Sequence, residues 1–171
     1  MDFQPILSYQ NSKAIKIYEA YTTAFPPEER RSETQFEALF ANPNAEICII
    51  SNENQEIGYL ILWKLNEALF VEHFEIFPDF RSLSFGSKIL QKLISENEKI
   101  VLESEPSQLN DIAERRINFY QRNNFKVIDE DYIQPSYGIG KPAIQLFLLA
   151  TYTPINIQDL KLDIYDTVYQ F

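Results

Sequence analysis

Three β-strand patterns follow one another in the middle of the chain, separated only by short polar turns. They cover residues 46–51, 56–65 and 69–77, with turns at residues 52–55 and at Asn66-Glu67. Strands joined by such short turns pair antiparallel, because a parallel return needs a crossover of a dozen or more residues. The chain is therefore predicted to build its fold around an antiparallel three-stranded meander.

Two helical patterns precede the meander. The first covers residues 12–24; it is predicted to begin at Asn11 or Ser12 and to end before Pro26-Pro27. Ser32 lies three residues before Gln35 and makes a capping box for the second. The side chains predicted to face the core are Ile15, Tyr18 and Tyr21 or Thr22 in the first helix, and Phe36, Leu39 and Phe40 in the second.

After the meander, helices and strands alternate. Helices are predicted over residues 85–97, after a cap at Asn110 or Asp111, and over residues 156–169; strands are predicted over residues 99–103, 125–128 and 143–150, with a loop at 132–142. Their core-facing residues are predicted to be Ile89, Leu90, Leu93 and Ile94, then Ala113, Ile117 and Tyr120, and finally Leu160, Ile164 and Val168.

With a short first strand over residues 3–9, the order of elements is βααβββαβαββ followed by a helical tail. This order predicts the α/β (α+β) class, with a mixed, mostly antiparallel sheet of six to seven strands flanked by about four helices plus a C-terminal helix. No linker or repeat divides the chain. One domain over residues 1–171 is expected, with a core at 3–150 and a helical tail at 151–171.

The charge and hydropathy of the chain exclude several classes of function. The formal net charge of −10 disfavours binding to nucleic-acid phosphates and suits a cationic partner. No apolar run approaches the ~20 residues of a membrane helix, and the N-terminus lacks a signal pattern. We therefore expect no nucleic-acid or membrane partner and a cytoplasmic location.

Cysteine and histidine are too few to suggest metal or disulfide chemistry. Cys48 is the single cysteine; it lies in an apolar run and is predicted to be a buried strand residue. His73 is the single histidine, and it is interpreted as a hydrogen-bonded structural residue. No metal site is expected.

The segment that follows the third strand has the properties of an anion site. Arg81 supplies a cation, Ser82 and Ser84 are small and polar, and Gly86 permits close backbone approach as a helix begins. A helix start offers free amides and a favourable dipole to a phosphate. The residues alone favour this site and a plain capped helix equally.

Residues 77–87 resemble the acyl-CoA pyrophosphate loop of the GNAT superfamily of acetyltransferases. The family pattern is Arg or Gln, two residues, Gly, any residue, then Gly or Ala; Arg81 and Gly86 match it, and Ser84 replaces the first glycine. A positive φ at Ser84 would strain the backbone. The resemblance covers the order of elements from about residue 3 to 150.

This resemblance implies acetyl-CoA as the acetyl donor. Backbone amides of the loop would hold its pyrophosphate, and the end of the third strand would pair with its pantetheine arm as an added strand. A backbone amide near Ile76 would stabilise the oxyanion of acyl transfer. The residues implied to bind the donor are Ile76, Phe77, Arg81, Ser82, Leu83, Ser84, Phe85, Gly86, Ser87 and Asn118.

Tyr120 belongs to a second motif of the same family. The family motif is a Phe-Tyr or Leu-Tyr pair, three residues, then Gly-Phe; here Asn124 replaces the glycine and, like glycine, tolerates a left-handed conformation. The resemblance implies that Tyr120 protonates the departing CoA thiolate. Without the resemblance, Tyr120 is more simply a core aromatic that shares a face with Ala113 and Ile117.

An attacking ammonium must first lose a proton, and two carboxylates are candidates for the base. Strand alternation is predicted to place Phe70, Glu72, Phe74 and Ile76 on one face. The Glu72-His73-Phe74 run resembles a GNAT subgroup in which the glutamate faces the acceptor, so Glu72 is the predicted base. Glu103 is the alternative base.

Glu103 also belongs to a set of residues that resembles one bacterial subgroup of these enzymes. Glu103 is predicted to bind a cationic acceptor, and Tyr132 and Tyr137 to wall its pocket. A charged strand end followed by a turn explains Glu103 equally well.

The expected function is an N-acetyltransferase in which a primary amine directly attacks acetyl-CoA in a ternary complex. A noncatalytic acyl-CoA-binding regulatory domain is the alternative suggested by Ser84 and Asn124, and a structural module without a ligand is a third. The expected acceptor is a small-molecule amine of unspecified identity. A homodimer is left open, with residues 164–171 docking on their own domain or on a second subunit.

Overall fold

A computed structural model describes residues 1–170 and shows seven strands in one sheet of order β1-β2-β3-β4-β5-β7-β6. The elements are β1 Asp2–Pro5, α1 Ser12–Ala24, α2 Glu33–Ala38, β2 Ala45–Asn52, β3 Gln55–Lys64, β4 Leu69–Ile76, α3 Phe85–Glu96, β5 Ile100–Ser104, α4 Asp111–Arg122, β6 Lys126–Gln134, β7 Ile144–Ala150 and α5 Ile157–Ile164. This architecture confirms the predicted fold class and the predicted order of elements.

The strand pairs are antiparallel except for β4 and β5, which run parallel because α3 connects them. The parallel pairing is short. It joins Leu69 to Ile100, Phe70 to Val101 and Val71 to Leu102, and no further pairs follow. The sheet therefore parts between β4 and β5 beyond Val71.

The core lies on both faces of the sheet. One face packs against α1, α2 and α5 through large side chains that include Tyr21, Phe36, Trp63 and Ile164. The other face packs against α3 and α4 through Leu60, Leu90, Leu93, Ile117 and Tyr120. No helix within residues 1–170 combines the length and the apolar character needed to cross a membrane.

Local capping signals set the helix starts as predicted. The Asn11 side chain accepts a hydrogen bond from the Lys13 amide at 2.9 Å, and Asn110 caps α4 in the same way. Ser32 and Gln35 form the predicted capping box. The predicted inner face of α1 was wrong at Ile15, which is 46% exposed, because Ala14, Ile17 and Tyr21 form the buried stripe.

A β-bulge in β4 overturns the predicted side-chain alternation. Ile61 pairs with His73 and the next residue, Leu62, pairs with Val71, so Glu72 is the extra residue. Phe70 lies in the core beside α1 and α2, whereas Phe74 and Ile76 pack against the core beside α3 and α4. The prediction that Phe74 and Ile76 share one face with Phe70 and Glu72 was therefore wrong, because the inserted residue reverses the alternation.

The strand β6 is longer than predicted and contains Tyr132, which had been assigned to a loop. The polar run Asp129-Glu130-Asp131 resembles a turn in the sequence. In the structure it lies on an edge strand whose pairing with β7 shifts register twice. Edge strands tolerate charged residues because one side of the strand faces water.

The C-terminal segment packs on its own domain. Leu160, Ile164 and Val168 are buried as predicted, and α5 continues into a π-helical turn over Tyr165–Tyr169. The predicted docking of residues 164–171 includes Phe171, which lies outside the described residues.

Candidate active site

The parting of β4 and β5 opens a cleft of about 670 Å³. Phe77 donates its amide to the Ile57 carbonyl of β3 at 2.9 Å. Because backbone groups alternate along an antiparallel strand, those of Phe74 and Ile76 point away from β3, toward the cleft. This open edge can pair with an extended ligand as an added strand would.

The loop before α3 forms one end of the cleft in a conformation suited to an anion. Ser82 has φ 63° and Ser84 has φ 61°, so both residues are left-handed. Ser84 is the N-cap of α3, yet its side chain makes no capping hydrogen bond. The first amides of α3 are therefore not capped by this side chain and can serve a phosphate group. Ser84 thus has the positive φ that strains the backbone of a residue with a side chain.

Most residues implied to bind acetyl-CoA line this cleft. They are Ile76, Arg81, Ser82, Ser84, Phe85, Gly86 and Ser87. Phe77, Leu83 and Asn118 do not line it: the Phe77 ring packs in the core, Leu83 is 55% exposed, and Asn118 lies on the solvent face of α4. The helical rotation of about 100° per residue instead directs Phe119 and Tyr120 to the cleft.

Gly86 serves helix packing. A Cβ atom at this position would lie 3.0 Å from Cζ of Phe119 and 3.5 Å from Cδ1 of Ile76. The missing side chain therefore lets α3 and α4 approach each other closely, which places the Phe119 and Tyr120 pair beside the loop. The expectation that Gly86 permits close approach of a ligand to the backbone remains a prediction, because the contacts at this position are with Phe119 and Ile76.

Arg81 is held at the mouth of the cleft. Its Nη2 atom lies 3.1 Å from Oε1 of Glu75, and its Nε atom donates to the Ile76 carbonyl at 3.0 Å. The arginine side chain remains 55% exposed. Its positive charge is thus positioned next to the left-handed serines and the start of α3.

Tyr120 lines the cleft and its ring is buried among Phe119 and Phe125. Burial raises the pKa of Tyr120, so the phenol keeps its proton at neutral pH. Its hydroxyl makes no hydrogen bond to any group within residues 1–170 and is free to act on a ligand. Asn124 closes the helix with φ 70°, which confirms its predicted left-handed conformation.

Glu72 is bound by several donors. Arg31 Nε lies 3.0 Å from Oε1, the Tyr137 hydroxyl donates to the same oxygen at 2.8 Å, and Trp63 Nε1 donates to Oε2 at 2.5 Å. The Glu72 side chain is 0% exposed. Burial raises the pKa of Glu72, but the Arg31 charge and the other partners outweigh it and hold that pKa below its ordinary value.

Glu103 lies in a contrasting environment. The hydroxyls of Tyr132 and Tyr169 and the amide of Gln134 donate to it, the last two to Oε2 at 2.7 Å and 2.9 Å. No lysine or arginine within residues 1–170 forms an ion pair with Glu103. Burial raises the pKa of Glu103 to about 7, and the nearby Glu72 charge adds to this effect.

His73 contributes no charge to the site. Its ring packs against Tyr21 and Phe25, and Nε2 lies 3.4 Å from the Tyr21 hydroxyl and 3.5 Å from the Tyr137 hydroxyl. Burial lowers the pKa of His73 to about 4. The imidazole is therefore neutral at neutral pH, which agrees with its interpretation as a structural residue.

The structure corrects the predicted roles of two tyrosines. Tyr132 and Tyr137 do not wall the cleft; they donate to Glu103 and Glu72, respectively. Sequence reasoning missed the other partners of these carboxylates. Arg31 lies in a charged link between helices and Tyr169 in an aromatic tail, and neither position carries a local signal of its distant contact.

Comparisons with known proteins show what the chain is similar to. The family described as "Acetyltransferase (GNAT) domain" matches residues 43–127. A Bacillus subtilis (strain 168) protein named "Putative acetyltransferase YjbC" is 32% identical over 110 residues, which are 64% of this chain and 56% of that protein. The matched region thus spans little more than half the length of this relative.

Solved structures share the fold. A GNAT-family protein from Bacteroides thetaiotaomicron, described as a putative acetyltransferase, superposes with a TM-score of 0.90 at 29% identity, covering 100% of this chain and 99% of that one. A Bacillus subtilis acetyltransferase solved in complex with CoA superposes with a TM-score of 0.58 at 14% identity, covering 87% of this chain and 97% of that one.

The protein has the GNAT fold. Its mixed sheet parts between the parallel strands β4 and β5, and α3 begins beside that opening without a side-chain cap. The family match and the full-length structural match agree with that class. Residues 43–127 match the GNAT acetyltransferase family, and the whole chain has the fold of that family.

Proposed function

We propose that the protein transfers an acetyl group from acetyl-CoA to a primary amine. One observation carries the proposal: a single cleft brings together the anion-binding loop (residues 81–87), the protonated phenol of Tyr120 and the carboxyl of Glu103. Acid–base catalysis of aminolysis needs a proton acceptor for the amine and a proton donor for the leaving thiolate. Both groups are present beside a site for a phosphorylated ligand.

The residues present fit acetyl-CoA as the donor. The left-handed Ser82 and Ser84, the start of α3 and Arg81 provide amides and a positive charge for its pyrophosphate, and the open edge at Phe74 and Ile76 provides backbone groups for its pantetheine arm. When bound, acetyl-CoA supplies an acetyl group activated as a thioester. The CoA complex of a protein with the same fold supports this choice.

We assign the base to Glu103 rather than Glu72. A base must accept a proton near neutral pH, and Glu103 has a pKa of about 7, while Arg31 holds the pKa of Glu72 below its ordinary value. Both carboxylates have three donors, but one donor of Glu72 is the cation Arg31, whereas the donors of Glu103 are uncharged. Glu103 takes one proton from the ammonium, the C–N bond forms as the C–S bond breaks, and Tyr120 gives its proton to the sulfur; the second nitrogen proton then restores the Tyr120 phenol.

The position of the single cysteine supports direct attack in a ternary complex. Cys48 lies in β2 and does not line the cleft, and burial raises the pKa of its thiol. A neutral buried thiol is a poor nucleophile. The acceptor is proposed to be a small cationic amine, because Glu103 lines the cleft without an ion pair to a lysine or arginine of residues 1–170 and the chain has a net charge of −10.

The test is a panel of amines assayed by release of free CoA thiol, with Tyr120→Phe as the matched variant. A thermal-unfolding series with acetyl-CoA runs beside it, because ligand at 100 times its dissociation constant stabilises a protein by about 2.7 kcal/mol. Turnover of an amine that depends on Tyr120 supports the proposal. Stabilisation without turnover of any amine supports the noncatalytic CoA-binding alternative, and no stabilisation at millimolar acetyl-CoA contradicts both.

A further inference from the structure

We propose that the C-terminal segment completes the active site and that Tyr169 is a positioning residue that orients Glu103 and keeps it ionised. The inference rests on the proposed function, in which Glu103 accepts the proton of the amine. It adds a residue from a part of the chain outside the matched family region, which ends at residue 127.

Three contacts fix the direction of the Tyr169 hydroxyl. It donates to Oε2 of Glu103 at 2.7 Å. Gln134 Nε2 donates to the tyrosine oxygen at 3.0 Å and to Oε2 of Glu103 at 2.9 Å. Because Gln134 occupies the acceptor side of the hydroxyl, the phenolic proton is directed to the carboxylate.

The backbone of the segment explains how the chain delivers this side chain. After α5, the turn Tyr165–Tyr169 is a π-helix, in which Gln170 donates to the Tyr165 carbonyl at 3.1 Å. A π-turn changes the helical phase and is frequent at functional sites. Here the consecutive residues Val168 and Tyr169 both turn inward, so one is buried in the core and the other reaches Glu103.

The same turn also reaches the second carboxylate. The Val168 carbonyl accepts a hydrogen bond from Arg31 Nη2 at 2.7 Å, and Arg31 forms the ion pair with Glu72. A carbonyl at the end of a helix lacks an intrahelical partner and is available for such a contact. The Tyr169 ring also packs on Tyr137, with ring centroids 5.3 Å apart. The segment thus contacts Glu103 directly and Glu72 through Arg31.

Opposing influences act on Glu103. Burial and the Glu72 charge favour its protonated form, whereas the donors Tyr132, Gln134 and Tyr169 favour its ionised form. The titratable and charged groups around it are Tyr132 on β6, Tyr137 on the loop after β6, Tyr165 and Tyr169 on the C-terminal segment, Glu72 on β4, and Arg31 beyond Glu72. Removing the Tyr169 hydroxyl is expected to raise the pKa of Glu103.

The experiment compares the full-length protein with Tyr169→Phe and Tyr165→Phe. Tyr165 is the matched control because it lies in the same turn and its hydroxyl donates to the Ile133 carbonyl at 2.7 Å, not to a carboxylate. The Glu103 carboxyl is titrated by 13C NMR and assigned by its absence in Glu103→Gln. Thermal unfolding of each variant accompanies the titration.

We expect Tyr169→Phe to raise the pKa of Glu103 by about one unit and to move the acidic limb of kcat/KM to higher pH by the same amount, with Tyr165→Phe unchanged in both. An unaltered titration of Glu103 in Tyr169→Phe overturns the inference, whatever the activity. A shifted titration supports the positioning contact even where no amine is turned over, and that second result would count against the proposed function alone.

Discussion

Arg31 and Glu72 form an ion pair in the core, with Nε and Oε1 3.0 Å apart and neither side chain more than 2% exposed. The pair ties the link before α2 to the bulge in β4. Through the Val168 carbonyl, Arg31 also holds the C-terminal turn. A buried pair with this many partners restrains three distant segments of the chain.

Glu72→Gln is expected to lower the free energy of unfolding by about 3 kcal/mol, because it removes the negative charge that pairs with the buried Arg31 guanidinium. Urea unfolding followed by circular dichroism measures the change. Glu67→Gln is the control, since its pair with Lys99 is exposed and should contribute less than about 1 kcal/mol. A loss below about 1 kcal/mol in Glu72→Gln would show that the pair is not a stabilising restraint.

Glu103→Gln is expected to lower kcat/KM about 100-fold at neutral pH, because the amide cannot accept the proton of the amine. The affinity for CoA, measured by calorimetry, should stay within about twofold of the starting protein, since the hydrogen bonds of Glu103 go to Tyr132, Gln134 and Tyr169 rather than to residues 81–87. The assignment of the base would move back to Glu72 if Glu72→Gln, corrected for its stability, proved the more impaired variant and lost most activity at low pH.

Tyr120→Phe is expected to lower the rate of acetyl transfer about 100-fold and to leave CoA affinity nearly intact, because the change removes a proton donor and keeps the ring. Single-turnover kinetics should be used, so that slow product release does not hide the chemical step. An unchanged single-turnover rate would remove Tyr120 from the mechanism.

Ser84→Gly is expected to raise the free energy of unfolding by about 0.5–1 kcal/mol, because glycine takes the φ of 61° without strain. Ser95→Gly, near the end of α3, should instead lower it by about 0.5 kcal/mol, since glycine is the poorer helix former. Denaturant unfolding of both variants gives the comparison. Loss of stability in Ser84→Gly would mean that the serine side chain itself stabilises the loop.

His73 and Glu103 are expected to have opposite effects on the pH dependence of stability. The pKa of His73 is lowered from 6.5 to about 4, so its contribution is lost as pH falls through that window. The pKa of Glu103 is raised from 4.5 to about 7, so its contribution is lost as pH rises through that window. Each shift corresponds to on the order of 3 kcal/mol, and the two nearly offset each other.

Single variants should therefore expose each contribution. As pH falls from 6.5 to 4, Glu103→Gln should lose more stability than the unaltered protein, because only the His73 effect remains. As pH rises from 4.5 to 7, His73→Gln should lose more stability than the unaltered protein, because only the Glu103 effect remains. Denaturant unfolding across this pH range measures both. Parallel stability curves for the three proteins would contradict the assigned pKa directions.

The sequence by itself determined the order of the elements, the helix caps and the left-handed position at Asn124. These features depend on residues a few positions apart: Ser32 and Gln35 cap their helix across one turn, and short polar turns force neighbouring strands to pair antiparallel. The resemblance of residues 77–87 to a family loop likewise concerned one continuous segment, and most of that loop does line the cleft.

Only the tertiary structure decided which carboxylate has a pKa suited to a base at neutral pH. Periodicity placed Phe74 and Ile76 on the same face as Glu72, which is wrong because a bulge adds one residue to β4, and a bulge is set by pairing with another strand. The groups that distinguish Glu72 from Glu103 are equally distant: Arg31 lies 41 residues from Glu72, and Tyr169 lies 66 residues from Glu103. Charge compensation and desolvation are properties of neighbours in space, so they arise only once the sheet, the link before α2 and the C-terminal turn have packed together.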